Sequence, residues 1–207
     1  MKSRATGFSH LVEDEASLRT FVAPPTSGTN DKVLDRLDRH ARSWIEASPL
    51  LFVATADADG ACDVSPRGGP AGWVRILDDR RIALPEAPGN RRADTLRNVL
   101  GNAMCALSFV VPGRQEVLRV NGRACVTADP AVLDGIPGRP VVAIGVEVEE
   151  LYIHCGKAFI RSHLWKPDTW PAVDSLPSLS EILRDQCGLK IAESEALVNE
   201  SYTQRMW

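Results

Sequence analysis

The residues of this sequence that most clearly suit a chemical task lie in a loop rich in glycine and proline, Pro85 to Arg92 (PEAPGNRR). The loop leads into a predicted helix, whose first turn offers unpaired backbone N–H groups and the positive end of the helix dipole. Gly89 lets a ligand approach the backbone, Asn90 is a candidate N-cap, and Arg91 adds charge together with Arg92. This combination is typical of a site for a phosphate group. The alternative is an ordinary helix start with solvated arginines.

A hydroxyl and a guanidinium stand close together in an earlier segment, at the end of a predicted strand. Ser65 and Arg67 precede a Gly-Gly turn in the sequence SPRGG. Arginine offers a planar fork of donors that suits phosphate or carboxylate. We therefore expect the pair either to complete the anion site or to serve as turn residues after the strand.

Two further pairs of basic residues lie in the second half of the sequence. Arg119 and Arg123 share the polar face of a strand that alternates polar and apolar residues, where they can equally be a solvated face. Lys157 and Arg161 are four residues apart, and so lie on one face of a short predicted helix. Both pairs are candidates for contact with an anion.

The overall composition argues against a general binder of nucleic acid. The 207 residues contain 24 lysines and arginines against 27 aspartates and glutamates, a formal net charge of −3. Only five of the 24 are lysine, a preference for arginine that codon usage in a GC-rich genome can also produce. A few local arginines in a mildly acidic chain fit one small phosphorylated ligand better than a long polyanion.

The cysteines and the hydropathy pattern indicate where the protein works. Five widely spaced cysteines without a CxxC motif predict a reducing cytoplasm and argue against disulfides or a zinc site. The sequence has no signal peptide at its start and no apolar run of about 18 residues, so we expect no membrane association. It also lacks the P-loop, GxGxxG and GxSxG motifs.

The elements that must position these residues are strands interrupted by a few helices. A capping box of Ser178 and Glu181 marks the start of one helix, and Pro66 is expected to end the second strand. Helices are predicted over residues 11–22, 31–47, 90–100, 156–164, 178–188 and 193–206. Strands are predicted over residues 50–56, 61–65, 73–77, 81–84, 103–111, 117–127 and 141–154. About seven strands joined mostly by short turns predict an antiparallel sheet or small barrel.

Four segments, in the same order as in a known family, carry a resemblance: DVSPRG, GNRRADTLRN, LRVNGRA and KAFIRSHLW. Over residues 31–170 the chain resembles the pyridoxamine 5′-phosphate oxidase-like proteins, and within them the subgroup described as probable FMN-dependent enzymes. The resemblance implies a mainly β fold with flanking helices, the six-stranded antiparallel split β-barrel that binds FMN. Residues 1–30 would then be an N-terminal extension and residues 171–207 a C-terminal helical extension.

The same resemblance implies a homodimer with two FMN molecules at the subunit interface. It brings Lys157 and Arg161 near the flavin from the second subunit, and it makes Arg67, Arg119 and Lys157 candidates for the pyrimidine edge of the flavin. It nominates no proton-transfer residue. The residues predicted or implied to contact FMN are Asp63, Ser65, Arg67, Pro85, Glu86, Asn90, Arg91, Arg92, Val117, Arg119, Lys157 and Arg161.

The family points to an FMN-dependent oxidoreductase that acts on a small molecule, yet two departures argue against vitamin B6 as that molecule. The chain has CDVSPR where the vitamin B6 enzymes have a basic R-x-V-L-L-K strand, and it lacks their C-terminal Trp and Arg segment in matching form. Two alternatives stay open. One is a non-catalytic flavin-binding, storage or sensor protein, and the other is the same barrel with deazaflavin F420 or haem.

Overall fold

One antiparallel sheet dominates the computed structural model, which describes residues 7–26, 28, 31–87, 89, 91–136 and 140–204. Its strands are β1 (Leu50–Ala56), β2 (Cys62–Gly68), β3 (Arg75–Ile76), β4 (Arg81–Pro85), β5 (Met104–Val110), β6 (Val117–Thr127) and β7 (Ala143–His154). Their order across the sheet is β2-β1-β5-β6-β7-β4-β3. The seven predicted strands are confirmed, and β6 has the predicted bounds.

The described helices lie in two compact units of the chain, residues 1–33 and 34–207. They are α1 (Glu15–Phe21), α2 (Arg39–Ala47), α3 (Asp94–Gly101), α4 (Pro130–Leu133), α5 (Lys157–Ser162), α6 (Leu179–Cys187) and α7 (Ile191–Gln204). The first unit contains α1, which begins after the N-cap Asp14 and buries no residue. The second contains the sheet and the other helices. Within the described ranges, no helix is long and apolar enough to cross a membrane.

The register of the strands gives the sheet an inner and an outer face. Residues directly opposite each other on antiparallel strands point to the same side. Leu51 and Val53 of β1 lie opposite Phe109 and Leu107 of β5, and all four side chains are buried. Together with Ile45 of α2 they belong to one hydrophobic core cluster. We call this side the inner face.

The other side of the same strands, the outer face, remains partly exposed. It carries Val64 of β2, Phe52 of β1 and Met104 of β5, whose exposed fractions are 64%, 40% and 47%. Because polar residues follow on β6 and β7, the outer face is apolar over β2, β1 and β5 and polar beyond them.

The sheet curls far enough to bring distant strands together. β2 is the first strand in the order and β4 the last but one, yet Arg67 of β2 contacts Glu86, the residue after β4. The atoms Nε of Arg67 and Oε1 of Glu86 are 2.6 Å apart. The predicted split barrel, mainly antiparallel β with flanking helices, is therefore confirmed, with six strands of at least five residues and the two-residue β3.

The prediction that Pro66 ends the second strand is wrong. β2 continues to Gly68, and Pro66 pairs with Phe52 of β1. Proline lacks an N–H group for the ladder, but an edge strand tolerates it because one side of its backbone needs no strand partner. β2 is such an edge strand. The continuation matters because it carries Arg67 into the barrel closure.

The helix predicted over residues 31–47 begins later than expected. Asp38 caps α2 by accepting a hydrogen bond from the backbone N–H of Ala41, 2.8 Å away, so the helix starts at Arg39 rather than at residue 31. Upstream, Leu34 forms a β-bridge with Leu151 of β7. The aliphatic spacing suited a helix, but the N-cap and this backbone pairing decide the outcome.

The C-terminal helices agree with their sequence signals. Ser178 and Glu181 form the predicted capping box at the start of α6, and Gly188 ends the helix in the left-handed region at φ 67°. The next predicted helix, 193–206, is confirmed as α7, which begins two residues earlier and is described to Gln204.

Candidate functional site

An ion pair between a half-buried arginine and a buried carboxylate lies where the barrel closes. Glu86 is buried and accepts a hydrogen bond from Arg67, whose NH2 group also donates to Oγ1 of Thr95 at 3.2 Å. Arg67 NH1 donates to its neighbour's carbonyl, that of Pro66. Three elements are thus joined: the end of β2, the residue after β4 and the first turn of α3. The guanidinium is fixed in place, and its charge is largely balanced by one carboxylate.

A second network continues along the same strand and helix. Asp63 of β2 accepts from Oγ1 of Thr55 at 2.9 Å and from Nδ2 of Asn98 at 2.7 Å, and Asn98 also donates to Thr55. Asp63 and Arg67 both point to the inner side of β2, because side chains an even number of residues apart on a strand share a face. On α3, residues that are three apart likewise share one face. We call Thr55, Asp63, Arg67, Glu86, Thr95 and Asn98 the inner cluster.

The start of α3 differs from the prediction and is suited to an anion. The N-cap is Ala93 in the left-handed region at φ 56°, and it makes no side-chain cap hydrogen bond. Asn90, the predicted N-cap, lies outside the described residues, and α3 begins at Asp94 rather than at residue 90. Because no described side chain caps this end, its backbone N–H groups are available to a ligand.

The two arginines that were predicted to bind phosphate differ in their backbone conformation and in their ion pairing. Arg91 is left-handed at φ 60°, is exposed, and forms no ion pair within the described residues. Arg92 donates from Nε to Oδ2 of Asp94 at 2.8 Å, and this hydrogen bond raises the pKa of its guanidinium. Non-glycine residues rarely adopt positive φ, so strain at both Arg91 and Ala93 marks this loop as a constrained one. Arg91 therefore has the freer charge.

The second group of predicted residues lies on the outer face. Arg119 of β6 donates from Nε to Asn121 at 3.1 Å and from NH1 to the hydroxyl of Tyr152 at 3.0 Å, and its guanidinium lies 5.4 Å from the centre of that ring. Asn121 in turn donates to Oε1 of Glu150. We call Arg119, Asn121, Glu150 and Tyr152 the outer cluster. Its arginine contacts an amide and a phenol, whereas the arginine of the inner cluster contacts a carboxylate.

The residues that follow β7 extend the outer cluster toward α5. Val117, at the start of β6, pairs with His154, whose ring stacks on that of Tyr152 with centroids 6.2 Å apart. Lys157 and Arg161 lie on α5, the short helix predicted for them, and both side chains are exposed. These cations add positive charge near the end of β7.

One chain brings some of the predicted residues together and keeps others apart. Ser65 lies between Asp63 and Arg67 on the inner side of β2, and Pro85 ends β4 directly before Glu86. In contrast, Arg119 faces outward, and β1 and β5 separate its strand from β2. The inner and outer clusters therefore do not form one site within a single chain.

Three members of the inner cluster were missed by the sequence analysis. Thr55 lies opposite Asp63 in the β1–β2 register, and Thr95 and Asn98 lie three residues apart on α3. The segment DTLRN contained a usable signal for the last two, because Thr95 and Asn98 recur at helical spacing beside the aliphatic face of the helix. Thr55 gave no such signal within its apolar strand.

An open cleft runs beside the inner cluster, between the β1–β2 hairpin and α3. Its volume is about 480 Å³. We call it the acidic cleft, because it is lined by Asp57, Ala58, Asp59, Ala61, Cys62, Asp63, Asp94, Arg97, Asn98 and Gly101. Within the described part of the chain, no group of three or more His, Cys, Asp or Glu side chains could hold a metal ion.

The fold resembles several solved structures at low sequence identity. HupZ from Group A Streptococcus is 22% identical with a TM-score of 0.47, over 56% of this chain and 93% of that one. An FMN-binding protein from Syntrophomonas wolfei is 11% identical with a TM-score of 0.39, over 54% and 86%. HutZ, the heme storage protein from Vibrio cholerae, is 15% identical with a TM-score of 0.41, over 58% and 94%.

The sequence itself matches one protein family. A search of curated proteins found no significant match. The family described as pyridoxamine 5′-phosphate oxidase matches residues 37–155, which is more than half of the chain and includes every strand of the sheet. The match extends from α2 to the end of β7 and thus contains both polar clusters. This chain belongs to the pyridoxamine 5′-phosphate oxidase family.

Proposed function

We propose that this chain binds FMN and is a flavin-dependent oxidoreductase that acts on a small molecule other than vitamin B6. The observation that carries the proposal is the start of α3, where a helix N-terminus without a side-chain cap adjoins Arg91. A phosphate group satisfies free backbone N–H groups and an exposed guanidinium at the same time. The residues present therefore fit the phosphate end of a mononucleotide.

The chain's own residues would bind and orient this cofactor. Arg91 and the first N–H groups of α3 would hold the phosphate, and Glu86 and Thr95 keep Arg67 in a fixed position beside them. When bound, FMN supplies the hydride or electron transfer, while the protein supplies binding, orientation and electrostatics. Arg119 on the outer face and Lys157 on α5 offer cationic donors for the flavin's pyrimidine edge.

A homodimer is part of the same proposal, because one chain separates the two clusters. The exposed apolar residues Phe52, Val64 and Met104 lie on the same face as Arg119. A contiguous apolar patch on a soluble protein commonly marks an interface, and a two-fold interface uses the same patch on both copies. A second copy packed on the outer face would set its outer cluster beside the first copy's barrel.

Titration of the purified protein with FMN tests the cofactor. We expect a yellow protein, or uptake of FMN by the colourless one at a ratio of about one FMN per chain, with the absorption spectrum of an oxidised flavin. A Soret band would indicate haem, and a single band near the deazaflavin maximum would indicate F420. A colourless protein that takes up no FMN would overturn the proposal.

The phosphate contact is tested by Arg91→Ala. Losing a charge-assisted hydrogen bond should weaken FMN binding by about 1.5–3 kcal/mol, which is roughly tenfold to a hundredfold in Kd. Arg36→Ala is the matched control, because Arg36 forms an exposed ion pair with Asp35 outside the site. Equal affinity for FMN in the wild type and Arg91→Ala would show that the phosphate lies elsewhere.

Turnover separates an enzyme from a flavin carrier. The flavin is reduced on the protein under anaerobic conditions and then mixed with candidate acceptors. An oxidoreductase should pass its electrons to one acceptor faster than free reduced FMN does. A flavin that is reoxidised no faster than free FMN by every acceptor would leave binding without catalysis.

A further inference from the structure

The outer cluster consists of two pairs of residues that lie directly opposite each other on neighbouring strands. Arg119 of β6 lies opposite Tyr152 of β7, and Asn121 lies opposite Glu150. Glu150 is thus the diagonal neighbour of Arg119, and long side chains at that spacing, about 7–8 Å, can still meet. In the described contacts, however, the carboxylate accepts from Asn121 and the guanidinium donates to the same amide. The Asn121 amide therefore links the two charged groups in place of a direct ion pair.

Glu150 determines the direction of the hydrogen bonds in this chain of side chains. An ionised carboxylate only accepts, so Asn121 turns its NH2 group toward Glu150, with Nδ2 and Oε1 2.9 Å apart. The amide oxygen then faces Arg119 and accepts from its Nε, while NH1 donates to the hydroxyl of Tyr152. Among the described residues, the NH2 group of Arg119 has no hydrogen-bond partner. The guanidinium is thus held on two sides and keeps donors for a ligand.

A β-bulge brings Glu150 into this position. The register of β6 and β7 shifts between Asn121 and Gly122, so Glu149 has no residue opposite it and Glu150 lies opposite Asn121. A Cβ atom at residue 122 would collide with the backbone carbonyl of Glu147, so the bulge requires glycine there. Bulges re-aim side chains and are common next to active sites. The backbone irregularity is therefore an observation independent of the hydrogen bonds that it supports.

We infer that Glu150 is a positioning residue of the proposed flavin site, which acts through Asn121 to fix the guanidinium of Arg119 without neutralising it. The inference rests on the proposed function, because it takes the pyrimidine edge of FMN as the ligand of Arg119. The reduced flavin carries more negative charge at this edge than the oxidised flavin does, and a fixed cation stabilises such charge. Glu150 should therefore favour the reduced flavin through Arg119, although its own charge acts in the opposite direction.

The midpoint potential of bound FMN separates positioning from charge. Glu150→Ala removes both the carboxylate and the hydrogen bond to Asn121, whereas Glu150→Gln removes the charge and keeps an acceptor oxygen. In Glu150→Ala the reduced flavin should lose about tenfold in affinity relative to the oxidised flavin, which lowers a two-electron potential by about 30 mV. Glu150→Gln should not lower the potential. Anaerobic titration against a reference dye, followed by absorption, measures it.

The sign of the shift identifies its cause. Loss of a negative charge by itself raises the potential, because it favours the more anionic reduced flavin. Glu147→Ala is the matched control, since it removes a carboxylate from the same strand but opposite Arg123 instead of Asn121. We expect this control to raise the potential or leave it unchanged. The positioning role is overturned if Glu150→Ala does not lower the potential, or if Glu150→Gln or Glu147→Ala lowers it equally.

A second readout needs no flavin. The Nε–H group of Arg119 is observed by NMR in the full chain without added FMN, and it is assigned by its loss in Arg119→Lys. Its hydrogen exchange should be at least about tenfold faster in Glu150→Ala than in the wild type or Glu150→Gln, because Asn121 is no longer held as its acceptor. Equal exchange in all three proteins overturns the positioning role and leaves FMN binding intact. If the protein takes up no FMN, the proposed function fails and the flavin role of Glu150 fails with it.

Discussion

The inner and outer clusters use the same residue type, arginine, in opposite ways. Arg67 is held by the buried carboxylate of Glu86 and the hydroxyl of Thr95, so its hydrogen bonds and its charge are satisfied within the chain. Arg119 contacts an amide and a phenol, and the nearby carboxylate of Glu150 accepts from Asn121 instead. The arginine of the inner cluster is paired directly with a carboxylate, whereas the half-buried arginine of the outer cluster contacts only neutral side chains among those described.

This difference separates structural from ligand-facing roles. A buried carboxylate that loses its cation is costly, so the inner cluster must form whenever the barrel folds. A partly exposed cation bound by neutral groups contributes less to folding but can still attract an anion. We therefore expect the inner cluster to control the stability of the barrel, and the outer cluster to affect ligand or partner binding with little effect on stability.

The largest effect should come from Glu86→Ala. The variant leaves the guanidinium of Arg67 inside the barrel closure without its carboxylate, and breaking such a pair costs about 3 kcal/mol of unfolding free energy. Urea unfolding monitored by tryptophan fluorescence measures this loss. Glu86→Gln should lose less, because its amide oxygen still accepts one hydrogen bond from Arg67.

Glu150→Ala is the matched control on the outer face. It removes a carboxylate whose described side-chain partner is the amide of Asn121, so its cost should stay below about 1 kcal/mol. Equal losses for Glu86→Ala and Glu150→Ala would contradict the division into a structural and a ligand-facing cluster.

A smaller loss is expected for Asp63→Ala. Thr55 is buried and donates to Asp63, so the variant leaves a buried hydroxyl without its acceptor and costs about 1–3 kcal/mol. Asp63→Asn should recover only part of this, because its amide nitrogen would face another donor, either Nδ2 of Asn98 or the hydroxyl of Thr55. Asn121→Ala serves as the outer-face comparison in the same urea experiment. If Asn121→Ala lost as much unfolding free energy as Asp63→Ala, the outer cluster would also stabilise the fold.

The fold was largely predictable because its signals are local. The alternation in β6 determined both its bounds and its buried face, and the capping box determined the start of α6. The prediction for Pro66 was wrong because the destabilisation caused by proline depends on whether its strand lies at the edge of the sheet. The position of a strand is a property of the whole sheet. The prediction of helix over residues 31–38 was wrong because the N-cap at Asp38 and the bridge of Leu34 to β7 outweigh the helical spacing of the aliphatic residues.

The candidate site was less predictable, because its contacts join distant parts of the chain. The sequence identified Arg67 and Glu86 separately, but it did not show that they pair across the barrel closure and neutralise each other. It also did not show that Arg119 and Arg67 lie on opposite faces, because that depends on the register of four strands. At the α3 loop, the proposed phosphate ligands would come from consecutive residues, so a local pattern could suggest the site, which stays a prediction.

The smallest effect is expected without any mutation, in a comparison of a buried cysteine on the inner face with an exposed cysteine after β7. Cys105 lies opposite Thr55 on the inner face, and burial, aided by the nearby Glu149, raises the pKa of its thiol to about 11. At pH 8 only about one thiol in a thousand would then be the reactive thiolate. Cys155, directly after β7, is exposed. Iodoacetamide should therefore label Cys155 in the folded protein and Cys105 only after unfolding in urea, as measured by peptide mass spectrometry. Labelling of Cys105 at the rate of Cys155 would mean that the inner face opens beside the inner cluster, and that this cluster is not the closed structural unit inferred from its contacts.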